Sequence, residues 1–253
     1  MTKLLYFSGT GNTLWSAKKI AEKAGDCELV NIGTEAEKKN PVIEADAIVL
    51  LFPAYAYGAP LIVSDFMKRV QLRTQYFAAF VTYGTSPGGA LAEIRRIVRR
   101  KKINAAWFGR IPAVENYIAM FGPQNQKTIE RRMEMQRLAT EEAVRRIADR
   151  QTNSVLEFRP VSAFVSKLFS LGAKIFYKWY KVTAGCDGCG ICAKVCPVSA
   201  VKIKDSRPVF TGKCEHCQGC IHWCPKRAIL FARVRSGTQR YHHPEISVTE
   251  MYE

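Results

Sequence analysis

Eight of the nine cysteines form two copies of one pattern near the C-terminal end of the chain. The first run is Cys186-x2-Cys189-x2-Cys192-x3-Cys196-Pro197, and the second is Cys214-x2-Cys217-x2-Cys220-x3-Cys224-Pro225. Three thiolates spaced three residues apart on a tight loop can wrap three corners of a cubane [4Fe–4S] cluster, and a fourth must come from elsewhere. The two runs therefore predict one-electron chemistry on iron–sulfur clusters.

Where two such runs occur together, the fourth cysteine of each run ligates the cluster of the other run. We therefore assign cluster A to Cys186, Cys189, Cys192 and Cys224, and cluster B to Cys214, Cys217, Cys220 and Cys196. A zinc site would use two pairs of ligands and would leave the third cysteine of each run unexplained. Disulfides are disfavoured because the cysteine count is odd and i, i+3 cysteines are awkward partners. The ninth cysteine, Cys27, stands alone in a predicted strand and is expected to be a small buried hydrophobe.

The N-terminus carries a second chemical motif. An apolar run at 3–7 predicts a buried strand, the loop Ser8-Gly9-Thr10-Gly11-Asn12-Thr13 follows it, and helical spacing continues to residue 24. Strand, loop and helix in this order point backbone N–H groups at an anion. The loop lacks the lysine of a Walker A motif, and Leu14 stands where a dinucleotide fingerprint has its third glycine. Its hydroxyl and amide side chains instead predict a terminal phosphate bound by neutral donors.

Two further loops follow apolar strands and should lie at the same edge of the sheet, where open α/β sheets bind ligands. The strand at 46–52 leads into Pro53-Ala54-Tyr55-Ala56-Tyr57-Gly58. The strand at 77–82 leads into Tyr83-Gly84-Thr85-Ser86-Pro87-Gly88-Gly89. We expect both loops to contact the ligand whose phosphate the first loop binds.

The Ser-Gly-Thr-Gly-Asn-Thr loop resembles the phosphate loop of flavodoxins, which bind FMN. The resemblance implies that the two later loops flank the isoalloxazine ring, with Tyr55, Tyr57 or Tyr83 packed on it. It also implies that backbone amides around Gly58, Gly84 and Gly88 bond its edge. The second loop lacks the usual tryptophan of short-chain flavodoxins, and the third lacks their acidic Gly-Asp pattern, so the resemblance leaves open which ring stacks. The predicted cofactor-binding residues are Ser8, Thr10, Gly11, Asn12, Thr13, Pro53, Tyr55, Tyr57, Gly58, Tyr83, Gly84, Thr85, Gly88 and Gly89.

The elements that must position these residues follow from the apolar spacing. It predicts strands at 3–7, 27–31, 46–52, 77–82 and 105–109, and helices at 13–24, 61–69, 89–101 and 125–150. This alternation predicts an α/β fold with a flavodoxin-like, doubly wound, five-stranded parallel sheet. A small α+β domain of the bacterial 2[4Fe–4S] ferredoxin type is expected to follow it. The predicted boundaries are 1–150 for the FMN domain, 151–182 for a helical linker and 183–253 for the ferredoxin-type domain and tail.

The linker contains a helical pattern from 160 to about 182. Apolar residues recur on one face at Phe164, Leu168, Leu171, Ile175 and Trp179. Val165, Phe169, Phe176 and Tyr180 widen this face, and lysines supply the polar positions. A basic amphipathic helix can lie on a membrane, but such a stripe more often packs against its own protein, so we expect it to dock between the two domains. In the tail, the adjacent His242 and His243 are expected to be surface or interface residues rather than a metal site.

Length, net charge and the distribution of apolar residues limit the classes of function that this chain can have. The chain has 253 residues, enough for two compact units, with 38 basic and 22 acidic residues and a net charge of +16. Residues 91–185 hold 19 of the basic residues against 8 acidic ones, which predicts an electropositive surface that attracts an acidic redox protein. No nucleic-acid-binding motif accompanies the charge, so we expect no nucleic-acid partner. Pro53, Gly58 and Pro60 interrupt the apolar stretch 45–63, so no transmembrane segment is expected, and free thiols suit a reducing cytoplasm.

Together the two halves resemble the flavodoxin–ferredoxin fusion electron carriers of anaerobic bacteria and archaea. The resemblance implies FMN and two [4Fe–4S] clusters as cofactors, and electron exchange with an acidic ferredoxin, flavodoxin or reductase. The alternative is an FMN-dependent reductase of a small molecule, such as a quinone, a nitro compound or a porphyrinogen-type substrate. No Ser/His/Asp or paired-carboxylate constellation is present, so we predict no catalytic side chain. A roomy, partly apolar pocket above the flavin would favour the reductase, and an exposed flavin edge would favour the carrier.

Overall fold

A parallel sheet of five strands organises the N-terminal half. The computed structural model describes residues 1–153 and 160–252. The strands of this half are β1 (Thr2–Tyr6), β2 (Cys27–Asn31), β3 (Val42–Glu44), β4 (Ala47–Pro53), β5 (Gln71–Arg73), β6 (Tyr76–Tyr83) and β7 (Ala105–Pro112). The main sheet has the order β2-β1-β4-β6-β7, with every neighbouring pair parallel, and β3 pairs with β5 beside it. This is the flavodoxin-like order of a doubly wound sheet, and it confirms the predicted fold class.

Helices cover both faces of the sheet, so its middle strands are buried on both sides. The helices are α1 (Asn12–Ala24), α2 (Ile32–Glu35), α3 (Leu61–Arg69), α4 (Ala90–Arg100), α5 (Ile118–Phe121) and α6 (Gln126–Ala148). One core packs Phe7, Phe52 and Phe66 with α3 and α4, and the other packs Leu14 and Trp15 with α6. The unbroken apolar runs of β4 and β6 reflect this two-sided burial.

Two one-turn helices add to the predicted elements. The first, α2, follows β2, where we expected only a polar connection, and it is capped by the Asn31 side chain, which accepts from the Gly33 N–H at 2.8 Å. The second, α5, follows β7 and lies in the segment that connects the sheet to α6. Strand β7 also extends three residues beyond its predicted end, to Pro112. These differences all fall at the carboxyl edge of the sheet.

The C-terminal half is built from short elements around the cysteine runs. They are α7 (Pro160–Phe176), a 3-10 turn (Tyr177–Trp179), β8 (Lys181–Val182), α8 (Ile191–Lys194), β9 (Val201–Lys204), β10 (Arg207–Phe210), α9 (Gly219–His222), β11 (Ile229–Leu230) and a second 3-10 turn (Thr249–Met251). Two antiparallel ladders join β8 to β11 and β9 to β10. The predicted linker helix thus ends at Phe176, and residues 154–159 of the predicted linker lie outside the described part.

The two halves share their packing. The side chain of Glu215, inside the second cysteine run, accepts from the Ile62 N–H at 2.9 Å and so caps α3. The indole of Trp223 donates to the Gly9 carbonyl at 3.1 Å. Ile246 and Met251 of the tail belong to the same buried cluster as α1. The cysteine runs are therefore held against the carboxyl edge of the sheet rather than at the end of a tether.

Helix α7 packs through only part of the apolar face that we predicted. Its inward row contains Ser166, Phe169 and Phe176, and the two phenylalanines contact an aromatic group around His216. The other row of the predicted face is exposed. Its members Phe164, Leu168, Leu171, Ile175 and Trp179 are 53–70% accessible to solvent. The expected packing against the protein is thus seen for Phe169 and Phe176 and not for this row, because the aromatic group contacts only one side of the helix. In the described residues, no helix has the length and apolar character needed to cross a membrane.

Candidate functional site: a cavity between the phosphate loop and a cysteine run

The loop after β1 has the geometry of an anion site. Gly11 adopts a φ of +92°, which favours glycine, and its N–H donates to Ser8 Oγ at 3.2 Å. Helix α1 then starts at Asn12, so its first-turn N–H groups have no partners within the helix. The buried hydroxyls of Ser8, Thr10 and Thr13 surround this position. Neutral donors and a helix N-terminus suit a phosphate group.

The Asn12 side chain has a structural role in this loop. Its Nδ2 donates to the Val114 carbonyl at 3.2 Å, and its Oδ1 accepts from the Tyr241 hydroxyl at 2.8 Å. The neighbouring Thr10 carbonyl accepts from the His243 N–H at 2.9 Å. Both ends of the Asn12 amide thus bond to the fold, which leaves one Nδ2 hydrogen and the backbone N–H as donors for a phosphate.

A cavity of about 320 Å³ opens in front of the phosphate loop. The predicted residues that line it are Ser8, Thr10, Asn12, Thr13, Pro53, Tyr55, Tyr57, Tyr83, Gly84 and Thr85. No lysine or arginine lines it in the described part of the chain, which suits recognition by neutral donors.

Four predicted contact residues, all glycines, lie behind the wall of this cavity rather than on it. They are Gly11, Gly58, Gly88 and Gly89. A Cβ on Gly11 would meet the Cβ of His243 at 3.1 Å, a Cβ on Gly58 would overlap Ser166, and a Cβ on Gly88 would lie 2.5 Å from the Tyr57 Cα. The Gly89 N–H donates to the Tyr57 carbonyl at 2.8 Å. These glycines let neighbouring segments approach closely, and so they shape the cavity indirectly.

The loop after β7 forms a wall that the sequence reasoning missed. Glu115 Oε2 accepts from the N–H and the hydroxyl of Thr85 at 3.1 and 3.0 Å, and its Oε1 accepts from the Tyr117 N–H at 2.9 Å. Gly84 permits this contact, because a Cβ there would lie 2.7 Å from the Glu115 Cα. The one available signal was position: this loop follows a strand end at the same edge of the sheet.

Another wall comes from the second cysteine run, which packs against the phosphate loop. His216, Cys217 and Gln218 line the cavity, and a Cβ on Gly9 of that loop would meet the Cys217 carbonyl at 3.1 Å. His216 bonds the Tyr117 hydroxyl at 3.1 Å and the Tyr180 hydroxyl at 3.0 Å. Burial lowers the pKa of His216 to about 4, so the ring is neutral near pH 7. The histidine thus joins the β7 loop to the cysteine-containing half.

Within the described part of the chain, Gln218 is the cavity residue whose side chain most clearly lacks hydrogen-bond partners. Its side chain is buried, yet neither its Oε1 nor its Nε2 has a hydrogen-bond partner among the described residues. Buried amides are normally satisfied, since an unpaired donor or acceptor costs about 1–3 kcal/mol. One donor and one acceptor beside the cavity match the edge of a planar heterocycle such as a flavin. The donor set and the orphaned amide together fit FMN.

The cysteines gather in crossed groups. One small hollow is lined by Cys186, Cys189, Cys192 and Cys224, the four residues assigned to cluster A. Burial, and then the charges of Cys224 and Cys189, raise the pKa of Cys192 to about 11. In the described residues, no three His, Cys, Asp or Glu side chains converge on a single ion. A cubane presents four separate iron corners instead, and the ligand sets stay a prediction.

The thiols assigned to cluster B affect one another's pKa values. Burial raises the pKa of Cys217, and the charge of Cys196 is the next largest cause. Burial is the largest cause of the raised pKa of Cys220, and the charges of Cys217, Cys214 and Cys196 raise it further. Backbone N–H groups donate to Cys196 Sγ from Ala200 at 3.2 Å and to Cys224 Sγ from Ala228 at 3.3 Å, four residues on in each run. Such bonds stabilise thiolate charge and tune cluster potentials.

The two groups differ in their access to solvent and to the cavity. Cys189 of the first group is exposed, whereas Cys217 of the second lines the cavity. The order from outside to inside is therefore the cluster A cysteines, the cluster B cysteines and the cavity.

Comparison with known proteins is consistent with this division. A family model described as a 4Fe-4S binding domain matches residues 180–202, which include the first cysteine run. No curated protein matches the chain. Among solved structures, a flavodoxin from the domain Archaea covers 57% of this chain and 98% of its own, at 19% identity and a TM-score of 0.34. Two-electron reduced Megasphaera elsdenii flavodoxin covers 56% and 99%, at 20% identity and a TM-score of 0.35.

The strand order and the loop after β1 define the N-terminal half as a flavodoxin-like domain. The matched segment, residues 180–202, identifies a 4Fe–4S binding domain after α7. The chain thus combines a flavodoxin-like fold with a 4Fe–4S binding domain.

Proposed function

We propose that this protein passes electrons between two [4Fe–4S] clusters and FMN and exchanges them with a redox partner protein. FMN exchanges one or two electrons, whereas each cluster exchanges one, so the pair would convert between the two modes. The observation that carries the proposal is that Cys217, a predicted cluster B ligand, and the phosphate loop line the same cavity. One side chain would then separate the inner cluster from the flavin.

Cavity size favours a carrier over a reductase. A volume of about 320 Å³ lies at the lower end of small-molecule sites, which suits one cofactor without a substrate beside it. A reductase is the second candidate because Met120 and Phe121, both exposed, give the mouth an apolar character. That feature would suit an apolar acceptor such as a quinone better than a charged one.

The partner should approach near cluster A. The exposed Lys202 and Lys204 flank Ile203, which lines the hollow of the cluster A cysteines. By contrast, Arg137 and Arg145 of α6 are paired with glutamates. The exposed basic cluster at the end of α4 lies at the opposite edge of the sheet from the cavity. An acidic ferredoxin or flavodoxin would therefore be oriented by the lysines of β9.

The first test is the cofactor content of anaerobically purified protein. The expected result is one FMN and about eight irons with matching sulfide per chain, as two cubane clusters require. Iron without flavin, even after added FMN, would overturn the proposal. The same protein should then be offered electrons from an acidic ferredoxin while flavin absorbance is followed.

Charge-reversal variants can distinguish a specific partner-binding site from a general effect of net charge. Replacing Lys202 and Lys204 with glutamate should slow flavin reduction by the ferredoxin roughly tenfold at low salt, with little change at high salt. Replacing Arg99 and Arg100, exposed at the end of α4, makes the same charge change away from the hollow and should have a much smaller effect. Equal effects of the two pairs would show that only net charge matters. Turnover of a quinone without any partner would favour the reductase.

A further inference from the structure

We infer that the exposed face of α7 is a docking surface for an anionic lipid membrane. The face consists of Phe164, Leu168, Leu171, Ile175 and Trp179, spaced at i, i+4, i+7, i+11 and i+15, which places them in one row along the helix. Each is more than half exposed. This lipid-facing row, as we call it, would bury its apolar side chains below the headgroups while the helix lies flat.

The size of the row sets it apart from ordinary surface. With roughly 200 Å² for each large side chain, the exposed fractions give an apolar area on the order of 600 Å², at the upper limit for monomeric proteins. Met120 and Phe121 of α5, which are 62% and 47% exposed, line the cavity together with Val165 of α7. Apolar surface therefore continues from α7 to the mouth of the cavity.

Charge indicates which partner covers this surface. No acidic residue occurs between Glu157 and Asp187, whereas lysines recur through the same segment. Lys167 and Lys178 are exposed on the helical row next to the lipid-facing row, and Lys181 is exposed just beyond Trp179. Lysines beside an apolar row, with a tryptophan at its end, match the headgroup and interfacial layers of an anionic bilayer.

The geometry favours lipid over a protein partner. The row stands on one convex helix rather than in a groove, and among the side chains described for α7 none that is polar lies within the row to make a directional bond. A bilayer needs neither feature. Docking would bring the cavity mouth to the lipid surface, where an apolar acceptor could reach it. The inference does not require FMN or the clusters, so it can fail or succeed separately from the proposed function.

The test is sedimentation of the purified full chain with vesicles of phosphatidylcholine alone or mixed with phosphatidylglycerol. We expect binding to the mixed vesicles that weakens with salt, and little binding to phosphatidylcholine alone. Replacing Leu168 with glutamate should weaken binding about tenfold or more, because a leucine no longer enters the lipid. The matched control is Leu138→Glu on α6. Leu138 is 52% exposed and Leu168 is 61% exposed, so the control removes a leucine of similar exposure away from the row, and this variant should bind like the parent.

A spectroscopic measurement avoids dependence on any destabilised variant. Brominated lipids should quench the fluorescence of Trp179 in the unchanged protein, since Trp15 and Trp223 are buried. Trp107 is half-buried on β7 beneath the Arg146 guanidinium of α6, so Trp179→Phe should abolish most of that quenching. Equal loss of binding in Leu168→Glu and Leu138→Glu, or absence of quenching, would overturn the inference. So would self-association that Leu168→Glu removes without any vesicle binding, because the row would then join two copies of the chain.

Discussion

Replacing Gln218 with methionine should have opposite effects on the stability of the flavin-free protein and on its affinity for FMN. Methionine keeps the length of the side chain but removes the buried oxygen and nitrogen that lack partners. Two such groups at about 1 kcal/mol each predict that the flavin-free protein becomes more stable by about 2 kcal/mol. If the same amide bonds FMN, its loss should weaken FMN binding by about 2 kcal/mol, or roughly 30-fold.

The measurements are denaturant unfolding of cluster-loaded, flavin-free protein and FMN titration by fluorescence. Gln136→Met is the control for the stability arm. Gln136 is equally buried, and only its Oε1 lacks a partner among the described residues, because its Nε2 donates to the Asn12 carbonyl at 2.8 Å and to Ser16 Oγ at 3.0 Å. That variant should be less stable by about 1–3 kcal/mol. Gln75→Met, at an exposed position, is the control for FMN affinity. A Gln218 variant that binds FMN as tightly as the parent would refute the assignment of its amide to the flavin.

Three further predictions concern the tail, the clusters and pH. Tyr241→Phe should lower the free energy of unfolding by about 1–2 kcal/mol, because its buried hydroxyl bonds the phosphate loop, whereas Tyr252→Phe at the surface should be neutral in the same denaturation assay. Cys196→Ser and Cys217→Ser should remove the same paramagnetic resonance signal if the ligand sets cross, and different signals if each run holds its own cluster. Burial lowers the pKa of His243 to about 4, so its contribution to stability is present above pH 6.5 and is lost as pH falls towards 4. Burial lowers the pKa values of His216 and His222 in the same way, so His243→Phe should reduce the slope of unfolding free energy against pH in that window by roughly a third, and an unchanged slope would contradict this.

Sequence patterns predicted most of the framework, because it rests on local signals. The apolar runs of β4 and β6 report two-sided burial directly, and the glycine–hydroxyl loop reports a helix N-terminus. The cysteine spacing indicated clusters because the pattern itself contains the ligand geometry. These features need no knowledge of which distant segments meet.

The parts that were missed depend on long-range contacts. Glu115 closes over Thr85 from 30 residues away, and nothing in its own loop marks it as a site residue. Gln218 lies inside a cysteine run, so we interpreted it only as part of the cluster motif and did not predict it as a cavity residue. For α7, periodicity indicated apolar rows but could not decide which of two adjacent rows faces inward, since that depends on the aromatic group around His216.

The bonds between the tail and the phosphate loop also set an order of events during synthesis. The Tyr241 hydroxyl and Asn12 are 229 residues apart, and the His243 N–H reaches back to Thr10. At about 5–20 residues per second, a ribosome needs on the order of ten to forty-five seconds to make that stretch. The phosphate loop is therefore complete only after both cysteine runs have been translated. Loading with flavin should be one of the last steps in the maturation of this protein.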